Sequence, residues 1–249
     1  MTAQGWRYPW PEKGGGEARL DRAEIVRVSL ELLDAEGVEQ FSTRKLAARL
    51  GIKSPSLYWH VKGKEELFAL VLDHVVGQCE LPSRRAGWRE QLDTVGHRLR
   101  AVLIEHAAAP HLLLGRPIFG PNGLRLADHV IGALRDNGFT DRLAGYGYIV
   151  FLNYVVGFAS QETAFGKGPG GRERLDQVES FLDALPKDQY PDLTAVAREL
   201  TAGRFTARFA LGLSAILDRL EKERVEKESL ENERLENEGV ENEKAQINT

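Results

Sequence analysis

Cysteine is almost absent from this chain of 249 residues, which contains only Cys79. A single thiol cannot form an intramolecular disulfide and does not support a cysteine metal site. The N-terminal residues lack the basic, apolar and small-residue order of a signal peptide. The richest apolar stretch, 146–158, is shorter than the roughly 20 residues of a membrane-spanning helix. These absences predict a cytoplasmic protein that does not enter a membrane.

Motifs of common enzyme classes are also missing. The glycine-rich segment 166–172 lacks the Lys-Ser or Lys-Thr ending of a phosphate-binding loop, and neither GxSxG nor HExxH occurs. No paired metal-ligand spacing is found among His74, His97, His106 and His129. We therefore predict no catalytic residues, no metal site and no cofactor, and we interpret 166–172 as a loop between helices.

Negative charge is missing from one region, although the whole chain carries a formal net charge of −4. Between Ser42 and Lys64 there is no Asp or Glu, and the basic side chains are Arg44, Lys45, Arg49, Lys53, Lys62 and Lys64. Positive charge concentrated in a net acidic chain indicates a polyanionic partner. The same stretch contains two short helical patterns separated by a turn, which is typical of a helix-turn-helix motif that faces DNA.

The acidic residues are concentrated near the C-terminus. From Glu221 to Lys244 there are ten Glu and five Lys or Arg, a net charge of −5. In this pentapeptide repeat the apolar residues recur every five positions, so they spiral around a helix and form no stripe. We therefore reject a coiled coil and expect residues 223–249 to form a solvated acidic tail, partly helical or disordered.

The opposite end, residues 1–18, is interpreted as an arm outside the folded domains. Pro9, Pro11 and the three glycines 14–16 oppose regular structure. The segment is either a loosely docked leader or an arm that reaches DNA, as minor-groove arms do. In the second case the contacts come from Arg7, Lys13 and Arg19.

Between these ends the apolar residues recur with helical spacing, and convincing strand alternation is not found. A first helix begins at the Asp21 cap and ends at Gly37. A second follows the Ser42 cap, and a third follows a Ser54 cap with Pro55 at its first position. Further helical patterns cover 64–78, 88–108, 123–137, 141–165, 172–185 and 192–222. The sequence therefore predicts an all-α protein.

The third helix is short and rich in aromatic residues. Leu57 and Val61 are its expected anchors, which leaves Ser56, Tyr58, Trp59 and His60 largely outward. Exposed aromatic rings suit a helix in a DNA groove, because the rings pack on sugar–phosphate and thymine methyls. The alternative is that Tyr58 and Trp59 are half-buried core residues.

The same residues carry a resemblance. Thr43-Arg44-Lys45-Leu46-Ala47, Leu50-Gly51 and the run PSLYWHVKGKEEL from Pro55 to Leu67 resemble the TetR family of transcriptional repressors. The match is dense over about residues 21–78. It implies a three-helix helix-turn-helix DNA-binding domain at 19–66, followed by a C-terminal helical ligand-binding and dimerisation domain at 67–222.

Position by position, the resemblance implies roles for nine side chains at the DNA. Thr43 and Arg44 would contact a phosphate and a base edge, and a planar guanidinium suits guanine. The start of the third helix would face bases, its aromatic part would clamp the backbone, and the start of the fourth helix would hold a phosphate. The residues concerned are Ser54, Pro55 and Ser56, then Tyr58, Trp59 and His60, and finally Lys64.

The C-terminal half resembles the family more weakly. Leu114-Gly115-Arg116-Pro117 is similar to an LGTRP segment of the family, shortened by one residue, and 205–213 is similar to its last helix. The family analogy implies a homodimer whose last helices pack together and whose recognition helices lie about 34 Å apart.

The helix 141–165 is the expected wall of a ligand pocket. It is apolar nearly all round and therefore expected to be buried, and a polar residue such as Asn153 inside it needs a partner. Tyr146 lies on the same line of the helix, with Gln161 beside it, and the alignment adds Arg116 and Asp128. Each partner is either a ligand or, alternatively, another side chain of the protein.

A histidine that binds drug-chelated magnesium in tetracycline-responsive members of the family falls at Leu112 or Leu113 here, although His111 is close. We therefore expect a larger, mostly apolar effector, such as an antibiotic or a biosynthetic intermediate. The predicted function is a ligand-responsive repressor that binds a palindromic operator in double-stranded DNA as a homodimer. The alternatives are a DNA-binding architectural protein without a ligand, or an enzyme that uses the helical cavity.

Overall fold

The computed structural model describes residues 21–116, 118–167 and 170–247. Side chains are described for these residues except 166–167 and 228–247. The expected N-terminal arm, residues 1–18, lies outside the described residues.

Twelve α-helices and no strand occur among these residues, which confirms the all-α prediction. The first six are α1 (Arg22–Gln40), α2 (Thr43–Arg49), α3 (Ser54–Leu57), α4 (Lys64–Gly77), α5 (Trp88–Glu105) and α6 (Ala109–Leu113). The others are α7 (Pro121–Arg135), α8 (Asp141–Glu162), α9 (Gly171–Asp183), α10 (Pro191–Ala195), α11 (Ala197–Thr201) and α12 (Phe205–Ile247). A π-helical turn, Thr163–Lys167, follows α8.

Three of the predicted helix boundaries were wrong. Helix α1 continues past Gly37, which interrupts it with a non-helical φ of 80°, and ends at Gln40. Lys53 occupies the N-cap position of α3, so Ser54 is already its first helical residue. The single helix expected at 192–222 is three helices, and Gly203 separates the last two with a φ of 65°, a left-handed conformation that favours glycine. The short α6 was not predicted at all.

Helices α1, α2 and α3 form a small domain against the first half of α4. Ile25, Leu46 and Leu57 are completely buried among them. Leu57 and Val61 are both buried, which confirms them as the anchors of α3. A helix of four residues does not persist alone in water, so this packing determines its position.

Helix α5 lies at the centre of the larger C-terminal domain and packs against α4, α7, α8 and α12. Its buried face carries Leu92, Val95, Leu99 and Leu103 at helical spacing. Helix α12 approaches α8 closely at Gly212, where an added Cβ would lie 2.3 Å from the Tyr154 hydroxyl oxygen. Tyr154 uses that hydroxyl to donate to the backbone O of Phe209 at 2.8 Å.

Helix α8 is only partly buried, which corrects the prediction of burial on all sides. Asp141–Phe165 is long and apolar enough to cross a membrane by length and composition, and 39% of the apolar window is buried. This corrects the expectation that no such segment exists. The inner face of α8 packs against α5, α7 and α12, whereas Tyr146, Ile149 and Val150 are exposed. We interpret α8 as a core helix with one apolar face open to a partner.

The acidic repeat continues the last helix. The described backbone of α12 is helical from Phe205 to Ile247, without a break at the expected tail boundary of 223. At 1.5 Å per residue, the part beyond 223 extends for roughly 36 Å. The tail is therefore an extension of the helix that packs on α5 and α8.

Candidate nucleic-acid interface and effector domain

The position of α3 is set by contacts from two other helices. Arg22, the first residue of α1, donates from Nε and Nη2 to the backbone O of His60 at 3.1 and 2.8 Å. The same Nη2 lies 3.6 Å from a carboxylate oxygen of Glu66 on α4. Arg22 therefore ties the end of the aromatic segment to α1 and α4. The sequence did not predict this role, because the only signal at Arg22 is its position directly after the N-cap residue Asp21.

The large aromatic side chains lie in the turn that follows α3, because the helix ends at Leu57 and not at His60 as expected. Trp59 is 89% exposed and Tyr58 is 52% exposed, so the alternative that both are half-buried core residues is wrong for Trp59. The Tyr58 hydroxyl lies 3.3 Å from the hydroxyl of Thr43, at the start of α2. The structure thus brings the start of α2 close to the end of α3. The DNA contacts expected from these two helices and from the turn after α3 are hereafter called the α3 surface: Thr43, Arg44, Ser54, Pro55, Ser56, Tyr58, Trp59 and His60.

Lys64, the ninth expected DNA contact, already has partners within the domain. Its Nζ donates to the backbone O of Phe41 at 3.3 Å and lies 5.7 and 5.2 Å from the ring centres of Phe41 and Phe68. These contacts hold the start of α4 against the end of α1. Lys64 therefore helps to hold α4 against α1, and a phosphate contact by its ammonium group stays a prediction.

The five expected effector contacts are not brought to one site. Arg116 pairs with Glu65 on α4 at 3.1 Å and donates to the backbone O of Leu112. Asp128 is exposed and pairs with Arg84 at 2.8 Å. Both residues thus pair with other side chains of the protein, which was the alternative to a ligand contact. A ligand contact by either residue stays a prediction.

The three expected contacts on α8 lie along its exposed side. Tyr146 is 66% exposed, and Asn153 and Gln161 are also exposed. Ser160, one residue from Gln161, is buried instead, and its hydroxyl lies 3.0 Å from Nδ1 of His111 on α6. The line of polar residues on α8 therefore divides between an outer face and a contact with α6.

A groove of about 830 Å³ runs between α8 and α12. Its floor is apolar, with Leu143, Val150, Ile216 and Leu220, and Tyr146 lies at its edge. Leu211 of α12 is 74% exposed. A wide apolar surface of this kind on a folded chain is typical of a site that another protein covers.

Charged and polar groups are also buried in the C-terminal domain. Arg100 of α5 donates to both carboxylate oxygens of Glu162 at 2.7 and 2.8 Å, and the guanidinium lies 5.0 Å from the centre of the Phe209 ring. This pair links α5, α8 and α12. Sequence reasoning missed it, because the two residues are 62 positions apart and only the fold brings them together.

His129 of α7 is buried, and its Nε2 has no hydrogen-bond partner among the described residues. Burial, together with the nearby Arg84 guanidinium, lowers the pKa of His129 below its ordinary value. The imidazole is therefore held neutral inside the domain.

The chain matches two family descriptions over almost its whole folded length. Residues 25–71 match "Bacterial regulatory proteins, tetR family", and residues 81–224 match "Tetracyclin repressor-like, C-terminal domain". These ranges coincide with the domain that carries the α3 surface and with the larger helical domain. The second match alone covers more than half of the chain.

Individual relatives agree with this assignment. The HTH-type transcriptional repressor DrrR1 of Streptomyces coeruleorubidus is 32% identical over 211 residues, which cover 81% of this chain and 77% of the relative. An HTH-type transcriptional regulator of Saccharopolyspora erythraea is 40% identical over 149 residues; the aligned part spans 62% of that relative and 59% of this chain. The DrrR1 alignment therefore covers about three quarters of a repressor, whereas the Saccharopolyspora alignment covers less than two thirds of that regulator.

Solved structures show the same fold. The TetR family protein ActR of Streptomyces coelicolor, in complex with actinorhodin, superimposes with a TM-score of 0.74 at 32% identity, covering 83% of this chain and 99% of that one. The resemblance found at the α3 surface is thus confirmed along both domains. The chain belongs to the TetR family of ligand-responsive transcriptional repressors, which bind operator DNA as homodimers.

Proposed function

We propose that this chain represses transcription by inserting the α3 surface into the major groove of a palindromic operator. The observation that carries the proposal is the 89% exposure of Trp59 beside Tyr58, within a segment that has six basic residues and no acidic one. Exposure of two large rings to water is unfavourable on a small domain, and packing of the rings against sugar–phosphate offsets that cost.

Each part of the α3 surface has a role that fits its chemistry. Arg44 is exposed at the start of α2, where a guanidinium can bond bidentately to O6 and N7 of guanine. Thr43 and Tyr58 present neighbouring hydroxyls that suit one phosphate. Ser54, Pro55 and Ser56, at the start of α3, face the bases. Trp59 and His60 hold the sugar–phosphate backbone, and Lys64 at the start of α4 binds a phosphate.

The homodimer forms through the exposed faces of α8 and α12. Tyr146, Ile149 and Val150 on α8 and Leu211 on α12 are apolar and exposed in the single chain, and the groove between the helices provides space for side chains of a second copy. A two-fold interface buries the same patch on both protomers. Tyr146 and Asn153 therefore serve the dimer surface in this proposal.

The effector is a largely apolar molecule that binds inside the C-terminal domain. ActR, which shares this domain, binds actinorhodin. The inner faces of α5 and α7 are apolar, with Val95, Leu99 and Val130 fully buried. A magnesium–tetracycline complex is disfavoured because Leu112 and Leu113 occupy the expected histidine position. Arg116, Asp128 and Gln161 remain proposed contacts at the margin of the domain.

The regulator acts on DNA in the cytoplasm and does not catalyse a reaction. Family membership supports both statements, since the relatives named above are transcriptional regulators. The architectural alternative is not favoured by these relatives, because a repressor such as DrrR1 acts at particular genes.

Selection of duplexes from a random pool tests the proposal. The full chain is expected to enrich one palindrome whose half-sites lie about one helical turn apart, at stated salt. Trp59→Ala is expected to weaken enrichment while the thermal unfolding of the protein stays unchanged. Uniform retention of all duplexes, with affinity that depends only on salt, identifies the architectural alternative instead.

A further inference from the structure

A buried carboxylate joins α4 to the beginning of α7. Asp73 lies in the second half of α4 and is only 6% exposed. Its Oδ1 accepts from the backbone N–H groups of Asn122 and Gly123 at 3.0 and 2.9 Å, and its Oδ2 accepts from the side-chain amide of Asn122 at 2.9 Å. Asp73 therefore caps the first turn of a neighbouring helix with three charge-assisted hydrogen bonds.

Gly77 permits the close approach of α4 to α7, and Gly123 permits the close approach of α7 to the segment before it. A Cβ added at Gly77 would lie 2.7 Å from the Asn122 side-chain nitrogen. A Cβ added at Gly123 would lie 2.5 Å from the backbone O of Ile118. Both distances are too short for real contacts. The joint between Asp73 and the start of α7 is thus closely fitted as well as hydrogen-bonded.

The first half of α4 packs against the DNA-binding domain. Lys64 binds the end of α1, Phe68 packs on Phe41 with ring centres 5.4 Å apart, and Glu66 lies beside Arg22. One helix therefore carries the α3 surface at one end and the joint with the C-terminal domain at the other. The orientation of the α3 surface depends on whatever holds the second half of α4.

Other polar links between the two domains are more exposed. Arg116 pairs with Glu65, whose side chain is 75% exposed, and exposed ion pairs contribute little. His106, which follows α5, lies 2.7 Å from Asp34 of α1 and 3.2 Å from Gln78 at the end of α4. That link is also near the surface. Among these polar links, only that of Asp73 is almost fully buried, where hydrogen bonds to a charged group are strongest.

We propose that Asp73 is the positioning residue that makes α4 and the start of α7 move as one body, and so couples the C-terminal domain to the orientation of the α3 surface. The proposal rests on the proposed function. A molecule that displaces the start of α7 also displaces α4, and by linkage DNA that fixes α4 biases α7. Asn122 acts with Asp73, since it supplies two of the three donors.

The test measures the separation of the two DNA-binding domains in the dimer without DNA or effector. A spin label at Ala48→Cys, an exposed position on α2, reports this distance between protomers by electron–electron resonance. Cys79 does not interfere, because it is buried and burial raises the pKa of its thiol to about 11. The parent is expected to show a narrow distance distribution.

Four variants in the labelled background separate the joint from other contacts. Asp73→Ala removes all three hydrogen bonds and is expected to broaden the distance distribution most. Asn122→Ala keeps the two backbone hydrogen bonds and is expected to broaden it less. Asp73→Asn keeps an acceptor for the backbone N–H groups and is expected to restore most of the parent distribution. Glu65→Gln, which breaks the exposed ion pair, is the matched control and is expected to leave it unchanged.

Operator affinity provides the second readout. Broadening lowers the fraction of dimers that match two successive grooves, so Asp73→Ala is expected to bind the selected palindrome roughly tenfold more weakly, with unchanged sequence preference. A folded Asp73→Ala protein with the parent's distance distribution overturns the proposal. If Asp73→Ala does not fold, an unchanged distribution in Asn122→Ala overturns it. Failure of the parent to select any duplex overturns the proposed function instead, and leaves the distance result valid.

Discussion

Two surfaces of this chain expose large apolar side chains, and they differ in what surrounds those side chains. On the α3 surface, Trp59 and Tyr58 lie among hydroxyl and basic groups in a segment without acidic residues. On the α8–α12 surface, Tyr146 lies beside Ile149 and Val150, over an apolar groove. Apolar exposure alone therefore does not identify a partner. Rings among cations suit a polyanion, whereas exposed apolar side chains beside a largely apolar groove suit a second copy of the protein.

The largest expected effect comes from placing a charge on the α8–α12 surface. Val150→Arg puts a guanidinium in the proposed dimer interface, where an unpaired buried charge is strongly unfavourable. We expect a monomer in sedimentation experiments. Operator affinity is expected to fall by at least about 100-fold, since two linked half-site contacts become one. Leu124→Arg, an exposed leucine on α7, is the matched control and is expected to remain dimeric. A dimeric Val150→Arg protein would place the interface elsewhere.

The next largest effect tests base recognition on the α3 surface. Arg44→Ala is expected to cost about 1–3 kcal/mol in discrimination at one operator position, the range for a bidentate contact to a base. Arg49, at the other end of α2 and also exposed, supplies the control, because Arg49→Ala removes the same charge away from the start of the helix. Titration of the selected duplex and of its single-base variants measures both. Equal losses for the two variants would indicate that only net charge matters.

A cross-comparison of aromatic residues sharpens the distinction between the surfaces. Trp59→Ala is expected to weaken DNA binding while changing the free energy of unfolding by no more than about 0.5 kcal/mol, as for other exposed positions. Tyr146→Ala is expected to raise the dimer dissociation constant and to affect DNA binding only at low protein concentration. Denaturant unfolding, sedimentation and DNA titration of both variants check this. A dimerisation defect in Trp59→Ala would contradict the assignment of DNA binding to the α3 surface and of dimerisation to the surface of α8 and α12.

The smallest effect concerns the core between the two surfaces. Because burial lowers the pKa of His129, the unfolded state binds a proton more readily than the folded state. The contribution of His129 to the free energy of unfolding is therefore fully present above a pH of about 6.5. It decreases as the pH drops below that value, by at most about 1.4 kcal/mol per pH unit. His129→Gln is expected to flatten that part of the curve of unfolding free energy against pH. An unchanged slope between pH 7.5 and 5.5 would show that His129 does not contribute.

Local pattern was sufficient for the DNA-binding domain and insufficient for the effector domain. The α3 surface lies within about 20 consecutive residues, so the order of residues predicted both the helices and the outward direction of Trp59. Of the five expected effector contacts, three lie along the exposed side of α8, whereas Arg116 and Asp128 pair with Glu65 and Arg84 elsewhere on the surface. Asn153 illustrates the reason: periodicity showed that α8 is apolar nearly all round, but it could not show which side meets α5 and which side is left exposed.

The sequence by itself determined that the chain is helical, that the segment 42–64 is basic whereas the tail is acidic, and that Tyr58 and Trp59 face outward. These properties depend on helical period, capping residues and local charge, which act over a few neighbouring residues. Only the tertiary structure decided that Arg22 holds α3, that Arg100 pairs with Glu162, and that Asp73 caps α7. Those contacts join residues between 38 and 62 positions apart, and each depends on how helices distant in the sequence pack against one another.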